Sequence, residues 1–184
     1  NGRYLVGTSE ALRAPVIDEF DTIWGAELRF TQNLDLGLNI GGATSNAAAS
    51  VLYKKGATFK VLGEDFQGSN VGSNWHGGCL GTPSSDLFGK KPAFVENTLT
   101  FGSSQCIDGG MLNGWVFTTF PLFEFNSQLT SELEMQFEFR SATTKPQGTA
   151  GGGWAIDDYS IYIPPQNSAS PIVIKTVSPI PFPV

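Results

Sequence analysis

The chain is poor in the residues that most reactive sites are built from. It has one histidine and two cysteines, and no basic cluster larger than Lys90-Lys91. Any Ser-His-Asp or Cys-His set would have to use His76, in Asn74-Trp75-His76-Gly77-Gly78-Cys79, and no Gly-x-Ser-x-Gly elbow occurs. The sequence alone does not test for the paired carboxylates of glycoside cleavage. Two cysteines and one histidine are too few for a structural zinc site. With 11 Lys and Arg against 17 Asp and Glu, the net charge is −6, so the basic patch of a nucleic-acid binder is missing. No apolar run is long enough to cross a bilayer. The chain opens on Asn1-Gly2-Arg3 without a charged-then-apolar leader. It is therefore expected to be a mature or trimmed product, whose secretion must be inferred from other features. No capped helical pattern is present either, and residues 65–74 are too rich in Gly, Ser and Asn for one. These absences predict a non-enzyme that neither binds nucleic acid nor inserts into a membrane.

What is present points to β-structure. The 184 residues fit one domain, large enough to bury a core without metals or cross-links. Aromatics make up 12 % of the chain, with 14 Phe, while charged residues are only 15 %. The 22 Gly and 11 Pro are scattered along it, punctuating many short segments. The clearest segment is residues 132–140. Leu133, Met135, Phe137 and Phe139 alternate with Glu132, Glu134, Gln136, Glu138 and Arg140, which predicts a strand with one side buried and one in water. Each buried apolar side chain there contributes roughly 1.5–3 kcal/mol.

Residues 26–32 alternate through Leu28 and Phe30, with Glu27 and Arg29 opposed. Residues 50–53 and 58–62 flank Lys54-Lys55-Gly56-Ala57, a hairpin turn in which Gly supplies a positive φ. Residues 115–120 are apolar on both faces and are expected to lie centrally. Residues 154–163 carry Ile156, Tyr159, Ile161 and Ile163 around the pair Asp157-Asp158. The expected fold is an all-β, antiparallel two-sheet β-sandwich over residues 1–163, followed by a Pro-rich linker or tail over residues 164–184. Within that tail Ile172, Val173, Ile174 and Val177 are β-prone but bracketed by Pro171, Pro179, Pro181 and Pro183, which allows only an edge strand or an extended segment.

Two long loops, residues 68–86 and 143–153, are expected to be functional or cross-linked. Cys79 and Cys106 are expected to pair, closing a loop worth roughly 3.5 kcal/mol in a chain-entropy account; two separate thiols are the alternative. Trp75, Trp115, Phe117 and Tyr162 are candidates for stacking on sugars. The last three lie on strands, where core packing is expected, so Trp75 is the one aromatic expected to be exposed and to bind a ligand.

The stretch Gly153-Trp154-Ala155-Ile156-Asp157-Asp158-Tyr159-Ser160-Ile161 resembles the closing strand of a jelly-roll superfamily. That superfamily includes MAM domains, reelin repeats and the adhesin-like domains beside immune-inhibitor-A metallopeptidases. Gly2-Arg3-Tyr4-Leu5 with Ala11-Leu12-Arg13-Ala14-Pro15-Val16-Ile17-Asp18 is similar to its early strand pair. Glu27-Leu28-Arg29-Phe30 resembles its next strand, and Ser50-Val51-Leu52-Tyr53-Lys54-Lys55-Gly56-Ala57-Thr58-Phe59 its hairpin. Lys91-Pro92-Ala93-Phe94 and residues 133–140 follow in the same order. The chain departs from the pattern in lacking the usual phenylalanine-glutamate first strand and in having two cysteines where MAM domains carry four.

The resemblance implies a jelly roll and an extracellular or cell-surface setting. It also implies a structural calcium ion held by Asp157 and Asp158 with Asp18, Glu19 and Asp21, hard oxygen donors of the kind calcium prefers. One of two neighbouring strand carboxylates must face the core, at a cost that a cation would offset. The alternative is that one aspartate accepts a backbone amide and the other is solvated. Fold likeness does not fix function. The leading expectation is a non-catalytic adhesion or assembly module whose partners are other subunits or cell-surface and matrix proteins. It could form homo-oligomers by inserting residues 171–177 into a neighbouring subunit. A carbohydrate-binding module of a secreted hydrolase, with glycans as partners, is the alternative.

Overall fold

The computed structural model describes residues 7–18, 26–36, 38–39, 47–64, 72–75, 84–89, 91–95, 97–98, 114–122, 132–142, 148–149 and 152–162. Their strands run β1 (Ser9–Arg13), β2 (Ile17–Asp18), β3 (Glu27–Asp35), β4 (Leu38–Asn39) and β5 (Ala47–Lys55) in the first part of the chain. β6 (Thr58–Val61), β7 (Ser84–Ser85), β8 (Lys91–Pro92), β9 (Phe94–Val95) and β10 (Asn97–Thr98) follow. β11 (Val116–Pro121), β12 (Glu132–Leu133), β13 (Met135–Ser141), β14 (Gly148–Thr149) and β15 (Gly153–Tyr162) complete the order. Apart from 3-10 turns such as Asp86–Phe88, no helix occurs among the described residues. The protein is all-β, as its Gly-punctuated alternation predicts.

Two antiparallel sheets dominate. One has the order β1-β13-β5-β6, with β9 also pairing β5; the other has the order β11-β3-β15. Alternation explains how they meet. Along β3, Leu28, Phe30, Gln32 and Leu34 are buried while the residues between them are half-buried. Along β13, Met135, Phe137 and Phe139 face the same interior. Rings from both sheets interlock there. Phe137 lies edge-on to Phe30 at 5.1 Å, to Trp154 at 5.6 Å and to Tyr159 at 5.6 Å between centroids. The sheets are therefore stacked face to face around an aromatic core. The Lys55–Thr58 pair closes the hairpin expected between β5 and β6, with Gly56 at φ 64°.

Three expectations change. The side of β13 expected in water is covered: Gln136 and Glu138 are buried. A second apolar cluster of Ala48, Leu52, Val61, Phe88 and Ala93 roofs that outer side. Under this roof the Arg140 guanidinium lies 4.4 Å from the Phe88 ring centroid, donates to the Leu87 carbonyl and pairs with Glu138 at 2.7 Å. Second, residues 116–121 do not lie centrally. β11 is the outermost strand of its sheet, met on its free side only by a bridge from Ser73 to Thr119 among the described residues. Third, β15 carries a bulge. Asp157 pairs with Thr31 and Ser160 with Arg29, so three steps on β15 match two on β3. Asp158 takes φ 52° there, a left-handed conformation that Asp tolerates better than most residues.

Candidate functional site

The candidate site is the outer face of the β11-β3-β15 sheet. Alternation sends Glu27, Arg29, Thr31, Asn33 and Asp35 of β3 to this face. Register then sets Phe117 beside Thr31 and Thr119 beside Arg29 on one flank. On the other flank Ala155 lies beside Asn33, Asp157 beside Thr31 and Tyr162 beside Glu27. Arg29 is held from two sides, by Glu27 at 2.6 Å and by the Tyr162 ring, whose centroid lies 3.7 Å from the guanidinium carbon.

Two large rings stand out of this face. Trp115 and Phe117 are each 53 % exposed. Phe117 lies on β11 and Trp115 just ahead of its first residue, at the alternate position, so both rings fall on the outer side, roughly 7 Å apart along the chain. Both are expected from sequence to be packed, because residues 115–120 carry apolar side chains on either side of the strand, Trp115 and Phe117 on one and Val116 and Phe120 on the other. The structure differs because, among the described residues, no second layer packs on the outer side of this sheet. The backbone beneath the rings is anchored, since Asn74 Nδ2 donates to the Phe117 carbonyl at 2.8 Å.

Trp75, expected at the surface as the ligand-binding aromatic, is a core residue with 3 % exposure. Ser73 exchanges two 3.0 Å backbone hydrogen bonds with Thr119, and Asn74 at φ 51° then turns the chain inward. The indole stacks on Phe120 at 4.5 Å and meets Phe94 and Phe30 edge-on. Its neighbours in sequence are polar, and its burial arises from contacts far along the chain.

Asp157 and Asp158 lie next to this face, and neither points into the core. The bulge lets both remain outside while Tyr159 turns inward at 9 % exposure. Asp157 Oδ1 accepts the Asp158 amide at 2.8 Å, and Asp158 is exposed. This is the arrangement of one capping and one solvated aspartate, and it removes the desolvation argument for a cation. Of Asp18 only the backbone is described, in β2 opposite Glu132. Glu19, Asp21, Cys79, Cys106, Ile172, Val173, Ile174 and Val177 lie outside the described residues, as does His76. Among the described residues no group of three or more His, Cys, Asp or Glu side chains comes together to hold a metal.

Comparison with known proteins adds no relative. No protein-family model matches the chain, and neither the curated proteins nor the solved structures give a significant match. The jelly-roll resemblance therefore rests on the sequence motifs themselves.

Beneath the outer face, sequence reasoning missed a buried polar seam. Gln32 is fully buried on the inner side of β3. Its Oε1 accepts the Trp154 indole N–H at 2.8 Å, and its Nε2 donates to Thr118 Oγ1 at 2.7 Å. These bonds tie β15, β3 and β11 together directly under the exposed rings. A lone Gln inside an otherwise apolar alternation, Leu28-Phe30-Gln32-Leu34, is the sequence signal that could have found it.

Proposed function

We propose that this chain is a non-catalytic, extracellular β-sandwich module of the jelly-roll kind that acts in adhesion or assembly. Its contact surface is the outer face of β11-β3-β15. One observation carries the reading: Trp115 and Phe117 are half exposed on a mainly polar sheet face, in a protein that buries most of its other described aromatics. Exposed rings grouped on a rigid sheet are the usual anchors of a binding surface. Particles coated with the full chain are expected to adhere to cells or matrix. Replacing both rings (Trp115→Ala with Phe117→Ala) is expected to abolish adhesion at unchanged melting temperature. Adhesion undiminished in the double variant, or none by the native chain, refutes the reading.

Three further elements belong to the same proposal. A disulfide joins Cys79 to Cys106. A calcium ion is held by Asp157 and Asp158 with Asp18, Glu19 and Asp21, and melting with and without a chelator tests it, since a bound ion stabilises by mass action. An unchanged midpoint removes calcium from the account. Subunits associate through Ile172, Val173, Ile174 and Val177. Assembly unaltered in a chain ending at Pro165 removes that element.

A further inference from the structure

We infer that the ligand of the outer face is an uncharged glycan, stacked on Trp115 and Phe117. The inference rests on the proposed binding role of this face and assigns the ligand class to it.

The shape of the apolar surface sets the first constraint. A standard protein–protein interface centres on a contiguous apolar core covering hundreds of square ångströms. Here the exposed large apolar side chains of the described face are two rings, Phe117 on β11 and Trp115 just ahead of it, with only Ala155 and the half-buried Tyr162 ring besides. Thr119 follows them on β11, and Thr31 and Asn33 flank them on β3. A pyranose ring has the matching profile. One side presents polarised C–H groups, which the negative π-face of an aromatic attracts. Its rim presents hydroxyls, each both donor and acceptor. Hydroxyls of Thr31 and Thr119 and the amide of Asn33 can meet such groups in either direction.

Charge sets the second constraint. Among the described residues the face and its border carry four carboxylates, Glu27, Asp35, Asp157 and Asp158, against one guanidinium, Arg29. Phosphorylated, sulfated and uronic ligands are repelled by that balance. A cationic ligand at the two rings is disfavoured, because three of these carboxylates are engaged and the fourth, Asp158, lies at the bulge of β15, on the far side of β3 from β11. Glu27 is paired with Arg29, Asp35 accepts the Gly152 amide at 2.8 Å and Asp157 accepts the Asp158 amide. The group in register with Phe117 on the neighbouring strand is the neutral Thr31. An uncharged polyhydroxyl chain fits both constraints.

Rigidity is the third support. Phe117 is fixed through its carbonyl by Asn74, and the sheet below is pinned by the Gln32 seam. A platform already in place loses little conformational freedom on binding.

Affinity electrophoresis of the full chain through soluble neutral polysaccharides (a β-glucan, a mannan and a galactan) tests the inference. A sulfated polysaccharide and polylysine serve as charged comparisons. At least one neutral polymer is expected to retard the native chain, while the sulfated one does not. Trp115→Ala is expected to weaken that binding roughly thirtyfold, the loss typical of a truncated aromatic anchor. Val16→Ala, at an exposed apolar residue off this face, should leave it unchanged. Retardation by none of the neutral polymers overturns the inference, as does retardation by polylysine alone. Retardation that persists in Trp115→Ala and Phe117→Ala overturns it too. In any of these cases, adhesion to cells or matrix that still requires both rings leaves the binding face standing and removes only the ligand class. Adhesion independent of the rings removes both.

Discussion

Trp154 donates its indole N–H to Gln32 Oε1 at 2.8 Å, in an interior where Gln32 has no exposure and Trp154 only 5 %. A buried amide is tolerated because each of its ends has a partner, and the cost of losing one exceeds the net worth of the bond. Gln32→Met keeps the volume but strands the Trp154 donor and the Thr118 hydroxyl. Denaturant titration is expected to show a loss of about 2–4 kcal/mol. Adding Trp154→Phe removes one orphaned donor and should cost less on the Gln32→Met background than on the native one. Equal costs on both backgrounds would mean the two residues are not coupled.

The two tryptophans around β11 should behave as opposites. Trp75→Ala empties the space between Phe120, Phe30 and Phe94, and about 3–5 kcal/mol should be lost. Trp115→Ala removes a ring that stands half in water, with an expected change within about 0.5 kcal/mol. Comparable unfolding midpoints for the two variants would contradict the burial assigned to Trp75.

Gly72 leads into the turn that brings Trp75 inward, at φ 82°. A β-carbon there would press into the Thr119 carbonyl oxygen, a backbone atom fixed by its bonds to Ser73. Gly72→Ala is expected to cost at least about 1–3 kcal/mol. Gly56 also has a positive φ, but a β-carbon would meet nothing within 4 Å. Its alanine variant should show the conformational penalty alone, about 1 kcal/mol. Thermal melts of the two variants side by side separate crowding from backbone strain.

Tyr159 gives the fold a limit in alkali. Burial pushes its hydroxyl well above the ordinary value of 10.0, because an ionised phenol would lose its hydration among Met135 and Phe137. The folded chain thus holds this proton where the unfolded chain has released it. The stability from the neutral phenol is whole below pH 10.0 and is lost as the pH climbs toward the raised value. Tyr159→Phe should flatten the decline in melting temperature above pH 10.0 relative to the native chain. A parallel decline in both proteins would place the alkaline transition on other groups.

The sequence made the strands legible where one side is apolar and the other polar, as in β3 and β13. Leu133, Met135, Phe137 and Phe139 are all buried as their spacing implied. It was misleading wherever a second layer or an edge decides the outcome. Glu138 looks like a water-facing residue, yet the segment carrying Leu87 and Phe88 lies over its strand, a contact between positions some fifty residues apart. Phe117 looks like core, yet it is half exposed, and among the described residues no layer covers the outer side of β11. Trp75 looks like a loop residue because the rings that bury it, Phe30, Phe94 and Phe120, all lie far from it in the chain. Exposure is expected of Trp75 and packing of Trp115 and Phe117 from local sequence alone, and the structure shows the reverse.

The bulge in β15 carries one residue more than the ladder requires. Without Asp158, Tyr159 would fall opposite Phe30 and the strand would run on without interruption, with Trp154, Ile156, Tyr159 and Ile161 still turned inward. Shortening the chain by this single residue would remove no side chain from the apolar interior. The outline seen from solvent would change, as two adjacent carboxylates became one and the local twist relaxed. That extra residue adds a left-handed step and an exposed carboxylate to the outline, and no side chain to the apolar interior.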